Sequence, residues 1–288
     1  MIWEIVKMKS ALLELYCEGI DKFEEFTTII ENSTVSLSLI GENLNIQIDS
    51  DLDDREIENL LLNLYSMIFL YLGYFPKIIT FEIENTAIDI SNLSGKYTTS
   101  KQFEKKYYQI ITINSNSITQ DIYNQFVSKT SNNYANNSMQ AVICEDYEHV
   151  MSDHKLLITL HCVDGIYENK GNDRFVKKLI EIMKVTNDKL QNDDLMQSLF
   201  SLFGCGNIDE MAKRLKDTRH WYSHLMNTSD KKFEKTFKDI LEFHYGFQFL
   251  YYVQRIYIID SLGCKIDVDC IKKFINKLII AFFRDKTR

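Results

Sequence analysis

The chain has 288 residues, 45% of them apolar, with 18 Phe and 16 Tyr; that is enough to bury a core of one or two domains and excludes a disordered chain. One proline and ten glycines supply few tight turns, which argues against a sandwich of short strands and for long helices. The net charge of −8 is unevenly spread: residues 1–145 carry 10 Lys+Arg against 20 Asp+Glu, and residues 146–288 carry 23 against 21. Non-specific coating of duplex nucleic acid is thereby excluded, and any polyanion contact belongs to a local cleft in the second half.

Residues 4–32 are predicted to be helical, from the spacing of Leu12, Leu13, Tyr16, Ile20, Phe23 and Phe26. The period then changes to two. Val35, Leu37 and Leu39 alternate with serines, Gly41-Glu42-Asn43 makes a turn, and Leu44, Ile46 and Ile48 alternate again, as in a β-hairpin. Residues 49–54 are an acidic connector whose aspartates can cap a helix over 55–74. Its apolar run, 60–75, is too short to span a membrane and is stopped by Pro76, so it reads as a buried helix.

Short strands are expected at 77–84, 86–90, 107–113 and 140–144. The polar stretch 114–139 reads as a boundary or exposed loop holding a short helix over 118–129. From residue 146 the strand signal disappears. Helices are predicted near 148–169, 172–189, 192–203, 207–226, 230–261 and 267–284, with Thr228 or Ser229 capping the fifth and Asp267 the last. The expected fold class is α+β: a small N-terminal α/β-mixed domain, residues 1–145, followed by an all-α helical bundle, residues 146–288.

Cys17, Cys144, Cys162, Cys205, Cys264 and Cys270 form no CxxC pair and no repeated spacing. They read as buried thiols of a cytoplasmic protein, and no apolar leader with a small-residue cleavage site opens the chain.

One stretch concentrates chemistry: Lys216-Asp217-Thr218-Arg219-His220-Trp221-Tyr222-Ser223-His224. An arginine followed five positions later by a histidine, with a polar residue directly after the arginine, resembles the R-x4-H motif of HEPN domains. Thr218 before it, Trp221 and Tyr222 within it, and a long helix closing in Leu262-Gly263 resemble the C-terminal domain of the ApeA-like HEPN family, over about residues 150–285. That resemblance implies a metal-independent endoribonuclease acting as a homodimer through its helical domain. It further implies a setting in anti-phage abortive infection or a toxin system, with the N-terminal domain binding a trigger or inhibitor.

RNA cleavage of this kind needs a proton acceptor, a proton donor and positive charge on the phosphorane-like transition state. Arg219 fits the phosphate, His224 the acid/base work, and His220 an assisting role. Tyr222, Ser223 and Asp217 are candidate substrate-binding residues, with Asp217 also able to orient a histidine or pair with Arg219 across a dimer. Trp221 is expected to face the core. On an ideal helix positions five apart differ by about 140°, so Arg219 and His224 share a face only if the helix is distorted or ends there.

Two other readings compete. The bundle could be an inactive HEPN module that dimerises or binds a nucleotide, or His220 and His224 could be two ligands of a zinc site whose third ligand is His244, Cys205 or Asp217. No cofactor and no metal is implied by the preferred reading. His149, His154, His161 and His244 are isolated in sequence and read as surface or core histidines.

Overall fold

The hairpin anticipated at residues 35–48 is the centre of a six-stranded antiparallel sheet. The computed structural model describes residues 8–89, 107–130, 152–167, 174–191, 194–223 and 234–288. Strands β1 (Lys9–Tyr16), β2 (Phe26–Ile30), β3 (Ser33–Ile40), β4 (Asn43–Ser50), β5 (Lys77–Ile83) and β6 (Thr86–Ala87) stand in the order β2-β3-β4-β1-β5-β6. Three of the links are two-residue loops: Glu31-Asn32, Gly41-Glu42 and Glu84-Asn85. Both Glu-Asn pairs lie at positive φ, the backbone demanded by the hairpin turn whose twist matches that of the strands, and Gly41 supplies the one positive φ of its turn.

The expected helix over 4–32 is replaced here by β1 and β2. Ala11, Leu13 and Leu15 are buried while Leu12, Glu14 and Tyr16 face outward, a two-residue alternation hidden beneath the helix-like spacing. β1 pairs with both β4 and β5, so tertiary pairing decides its state. The 86–90 strand shrinks to Thr86–Ala87, and the 140–144 strand lies outside the described residues.

Helix α1 (Asp54–Leu72) starts where the acidic connector predicts. Asp53 accepts from the Glu56 amide and the Glu56 carboxylate accepts from the Asp53 amide, a reciprocal capping box. From Met67 to Leu72 every side chain is buried, which is why the sequence there reads as uniformly apolar. The helix ends at Gly73 with φ +82.

Residues 107–113, expected as a strand, form a buried irregular segment with one parallel bridge between Phe23 and Ile113. Its backbone needs are met by side chains and by distant backbone. Gln109 Oε1 accepts from the Asp21 and Lys22 amides, and its Nε2 donates to Lys22 and Ile111 carbonyls. The Ile110 amide donates to Tyr71 O. Apolar β-branched composition therefore marked burial and not strand pairing.

The remaining helices are α2 (Gln120–Thr130), α3 (Ser152–Ile166), α4 (Phe175–Lys189), α5 (Leu195–Leu202), α6 (Ile208–Ser223), α7 (Ile240–Ser261) and α8 (Val268–Lys286). The fold is α+β: a sheet followed by helices. Helix α7 begins at Ile240 with Asp239 as its cap and not near residue 230; Thr228 and Ser229 lie outside the described residues. Asp267 caps α8 as expected, accepting from the Asp269 and Cys270 amides. Buried residues of α1, of the sheet and of the bundle belong to one apolar cluster. Among the described residues no helix is long and apolar enough to cross a membrane. Cys17, Cys162, Cys205, Cys264 and Cys270 are buried free thiols.

Candidate functional site

Helix α6 is two-sided, and its two faces can be read from residue spacing. Met211, Leu215, Thr218 and Trp221 are buried, recurring every three or four residues. Thr218 fixes the helix at that face: its hydroxyl donates to Arg214 O and accepts from the Phe237 amide at 2.9 Å. Arg214 binds Thr236 O and, at 2.7 Å, the Glu242 carboxylate, tying α6 to the start of α7.

The opposite face carries Lys216, Arg219, His220 and Ser223, again at three- and four-residue steps. These four line a cavity of about 280 Å³ with His161 of α3 and Phe175 of α4. Two cationic side chains, two imidazoles and a hydroxyl thus share one cleft. Arg219 is half-buried. Its Nη1 donates to Asp164 Oδ2 at 3.3 Å, and its guanidinium lies 4.1 Å from the centre of the Phe175 ring. The other oxygen of Asp164 accepts from Lys178 at 2.8 Å, so this carboxylate is held between two cations.

His161, read from the sequence as an isolated surface or core histidine, borders the cleft. Ser223 Oγ lies 3.4 Å from its Nε2. Burial and, secondarily, the Arg219 guanidinium hold the ring below its ordinary pKa of 6.5, outweighing the pull of Asp164. At neutral pH the ring is uncharged.

The other expected site residues are dispersed. Tyr222 points away from the cleft: its hydroxyl donates to Phe237 O at 3.2 Å and its ring packs edge-on against Phe243. Asp217 pairs with Lys216 at 2.8 Å and lines a neighbouring cavity of about 440 Å³, together with Arg214, Lys213 and Lys235; within the chain Arg219 pairs with Asp164. Trp221 is buried, as expected. His224 lies outside the described residues. Among the described residues no three His, Cys, Asp or Glu side chains are grouped to hold a metal ion.

His161, Asp164, Phe175 and Lys216 are the residues sequence reasoning missed. Lys216 had a signal, the step of three to Arg219. His161 had none, being 62 positions from the Ser223 it faces. No family model, curated protein or solved structure matches the chain.

Proposed function

We propose that this protein is a metal-independent endoribonuclease of the HEPN type, with the cleft around Arg219 as its active site. The observation that carries the reading is the convergence of Lys216, Arg219, His161, His220 and Ser223 on one cavity. Lys216 and Arg219 supply charge for a phosphodiester and its transition state, and imidazoles move protons near neutral pH. A cationic cleft of this size on an acidic chain suits an RNA strand gripped locally. His224 belongs to the motif and enters the proposal through the resemblance alone. The same resemblance supports a homodimer formed through the helical bundle, a cytoplasmic setting in phage defence or a toxin system, and an N-terminal region, residues 1–145, that binds a trigger or inhibitor.

The test is cleavage of single-stranded RNA by purified protein in EDTA. Wild type should leave 2′,3′-cyclic phosphate ends, and Arg219→Ala should leave the RNA intact while melting as wild type does. Retained cleavage in Arg219→Ala removes this mechanism, and His224→Ala reads whether the motif histidine takes part in it.

One observation favours a second reading. The Arg219 guanidinium is already engaged by Asp164 and Phe175, an arrangement that also suits a dimerisation or nucleotide-binding module without cleavage. Saturable binding of a fluorescent mononucleotide, with RNA left intact and host growth unaffected by expression, selects that reading.

A further inference from the structure

Transfer of a phosphodiester to its own 2′-oxygen needs one group that removes a proton and another that supplies one, approaching from different sides of the phosphorus. Side chains of a single helix face reach a ligand from one side only. In the cleft, His220 comes from α6 and His161 from α3, so two imidazoles border the cavity from separate elements. His161 Nε2 lies 3.4 Å from Ser223 Oγ on α6. The charged and titratable groups around it are Lys216, Arg219 and His220 on α6, Asp164 on its own helix, and Lys178 of α4, which Asp164 binds. Burial and Arg219 keep the ring neutral at pH 7, the form that accepts a proton.

We propose that His161 is a catalytic residue, the proton acceptor for the 2′-hydroxyl, an inference that rests on the ribonuclease reading above. His161 Nε2 takes the 2′-hydroxyl proton as the 2′-oxygen bonds to phosphorus. The bond from phosphorus to the 5′-oxygen breaks, and that oxygen leaves with a proton donated by His220. The products are a 2′,3′-cyclic phosphate and a 5′-hydroxyl. Exchange with water returns both rings to their starting states, with no change of oxidation state. Arg219 and Lys216 hold the non-bridging oxygens throughout.

The experiment compares wild type, His161→Asn, His161→Gln, His220→Asn and Arg219→Ala in single-turnover cleavage with EDTA. Two RNAs are used: a natural one, and one whose scissile 5′-oxygen is replaced by sulfur, a leaving group that needs no proton. Both His161 variants should melt with wild type and cleave both substrates about a hundredfold or more slowly, with the acidic limb of the pH–rate profile gone. His220→Asn should be slow on the oxygen substrate and restored on the sulfur one. Wild-type rates in both His161 variants beside an inactive Arg219→Ala overturn this inference alone, as does rescue of His161→Asn by sulfur. RNA left intact by wild type, or cut at wild-type rate by Arg219→Ala, removes the ribonuclease reading itself.

Discussion

Arg219 and Arg255 are each set against aromatic rings and oxygen acceptors, and they show how burial divides the use of one side chain. Arg255, on α7, is fully buried. It donates to Leu70 O through Nε and Nη2 at 2.9 and 2.6 Å, to Tyr71 O at 3.0 Å and to Tyr108 O at 3.0 Å. Its guanidinium lies near the Tyr251 and Tyr252 rings. Two of its acceptors are the last carbonyls of α1, where the helix dipole is negative. This cation joins α1, the irregular segment and the bundle. Arg219 has a carboxylate, a ring and an open cavity, and so keeps donors facing a space that a ligand can enter.

The contrast is broken most severely at Arg255. Arg255→Met would take their donor from the buried Leu70 and Tyr108 carbonyls and one of two donors from Tyr71 O, and chemical denaturation should show a loss of about 3–5 kcal/mol. Arg219→Ala should cost less than about 1 kcal/mol of stability, because its half-buried guanidinium pairs with an exposed carboxylate that solvent screens, while removing the proposed cleavage. Equal destabilisation by the two changes would erase the distinction.

Gly73 sharpens the same point from the other side. A Cβ built there falls 2.1 Å from Arg255 Nη1 and sits on a residue with φ +82. Gly73→Ala should therefore destabilise by about 2–4 kcal/mol, through the left-handed backbone and the displaced guanidinium together. In an Arg255→Met background the collision is gone and only the backbone part should persist. A double-mutant cycle by urea denaturation would measure the coupling, and strict additivity would show that the glycine and arginine do not act on each other.

A pair of histidines gives the contrast in protons. His244 of α7 is pushed down to about 4, first by burial and then by Lys155, with Asp285 opposing. Its Nε2 accepts from Gln248 Nε2 at 2.7 Å, a bond that protonation abolishes. The folded state thus binds fewer protons than the unfolded chain between pH 6.5 and about 4. Stability from this ring is complete above pH 6.5 and is lost as pH falls toward 4, by up to about 3 kcal/mol. His244→Gln should flatten that part of the stability profile, whereas His161→Gln, at the cleft rim, should change it little.

Much of the scaffold was legible because local chemistry repeats its own signal. The Asp53 cap, the Gly41 turn and the alternation through Val35 and Ile48 each state one outcome. β1 was misread because Leu12, Leu13 and Tyr16 keep helical spacing while Ala11, Leu13 and Leu15 keep a two-residue alternation, and only pairing with β4 and β5 chooses between them. At 107–113 composition reported burial, while Gln109 and distant backbone took the place of a strand partner. For the site, the α6 face was readable from the steps 216, 219, 220 and 223. His161, Asp164 and Phe175 were not, since they reach the cleft only when α3 and α4 pack beside α6.

The smallest expected change separates the two uses of an arginine most sharply. Asp164 accepts from Arg219 at 3.3 Å and from Lys178 at 2.8 Å, so it competes for the Arg219 guanidinium with any phosphate that enters the cleft. Asp164→Asn removes that competitor and leaves the Phe175 ring in place beneath the guanidinium. Surface ion pairs of this kind contribute about 0–1 kcal/mol, so the melting temperature should barely move. Binding of a short single-stranded RNA in low salt should tighten by about two- to fivefold, since the cleft gains net positive charge. Fluorescence anisotropy across a salt series would read this. Weaker binding in Asp164→Asn would mean that the carboxylate orients Arg219 for its ligand and does not compete with it. A comparable anion should never reach Arg255, which is fully buried and donates to the end of α1 and to Tyr108 O.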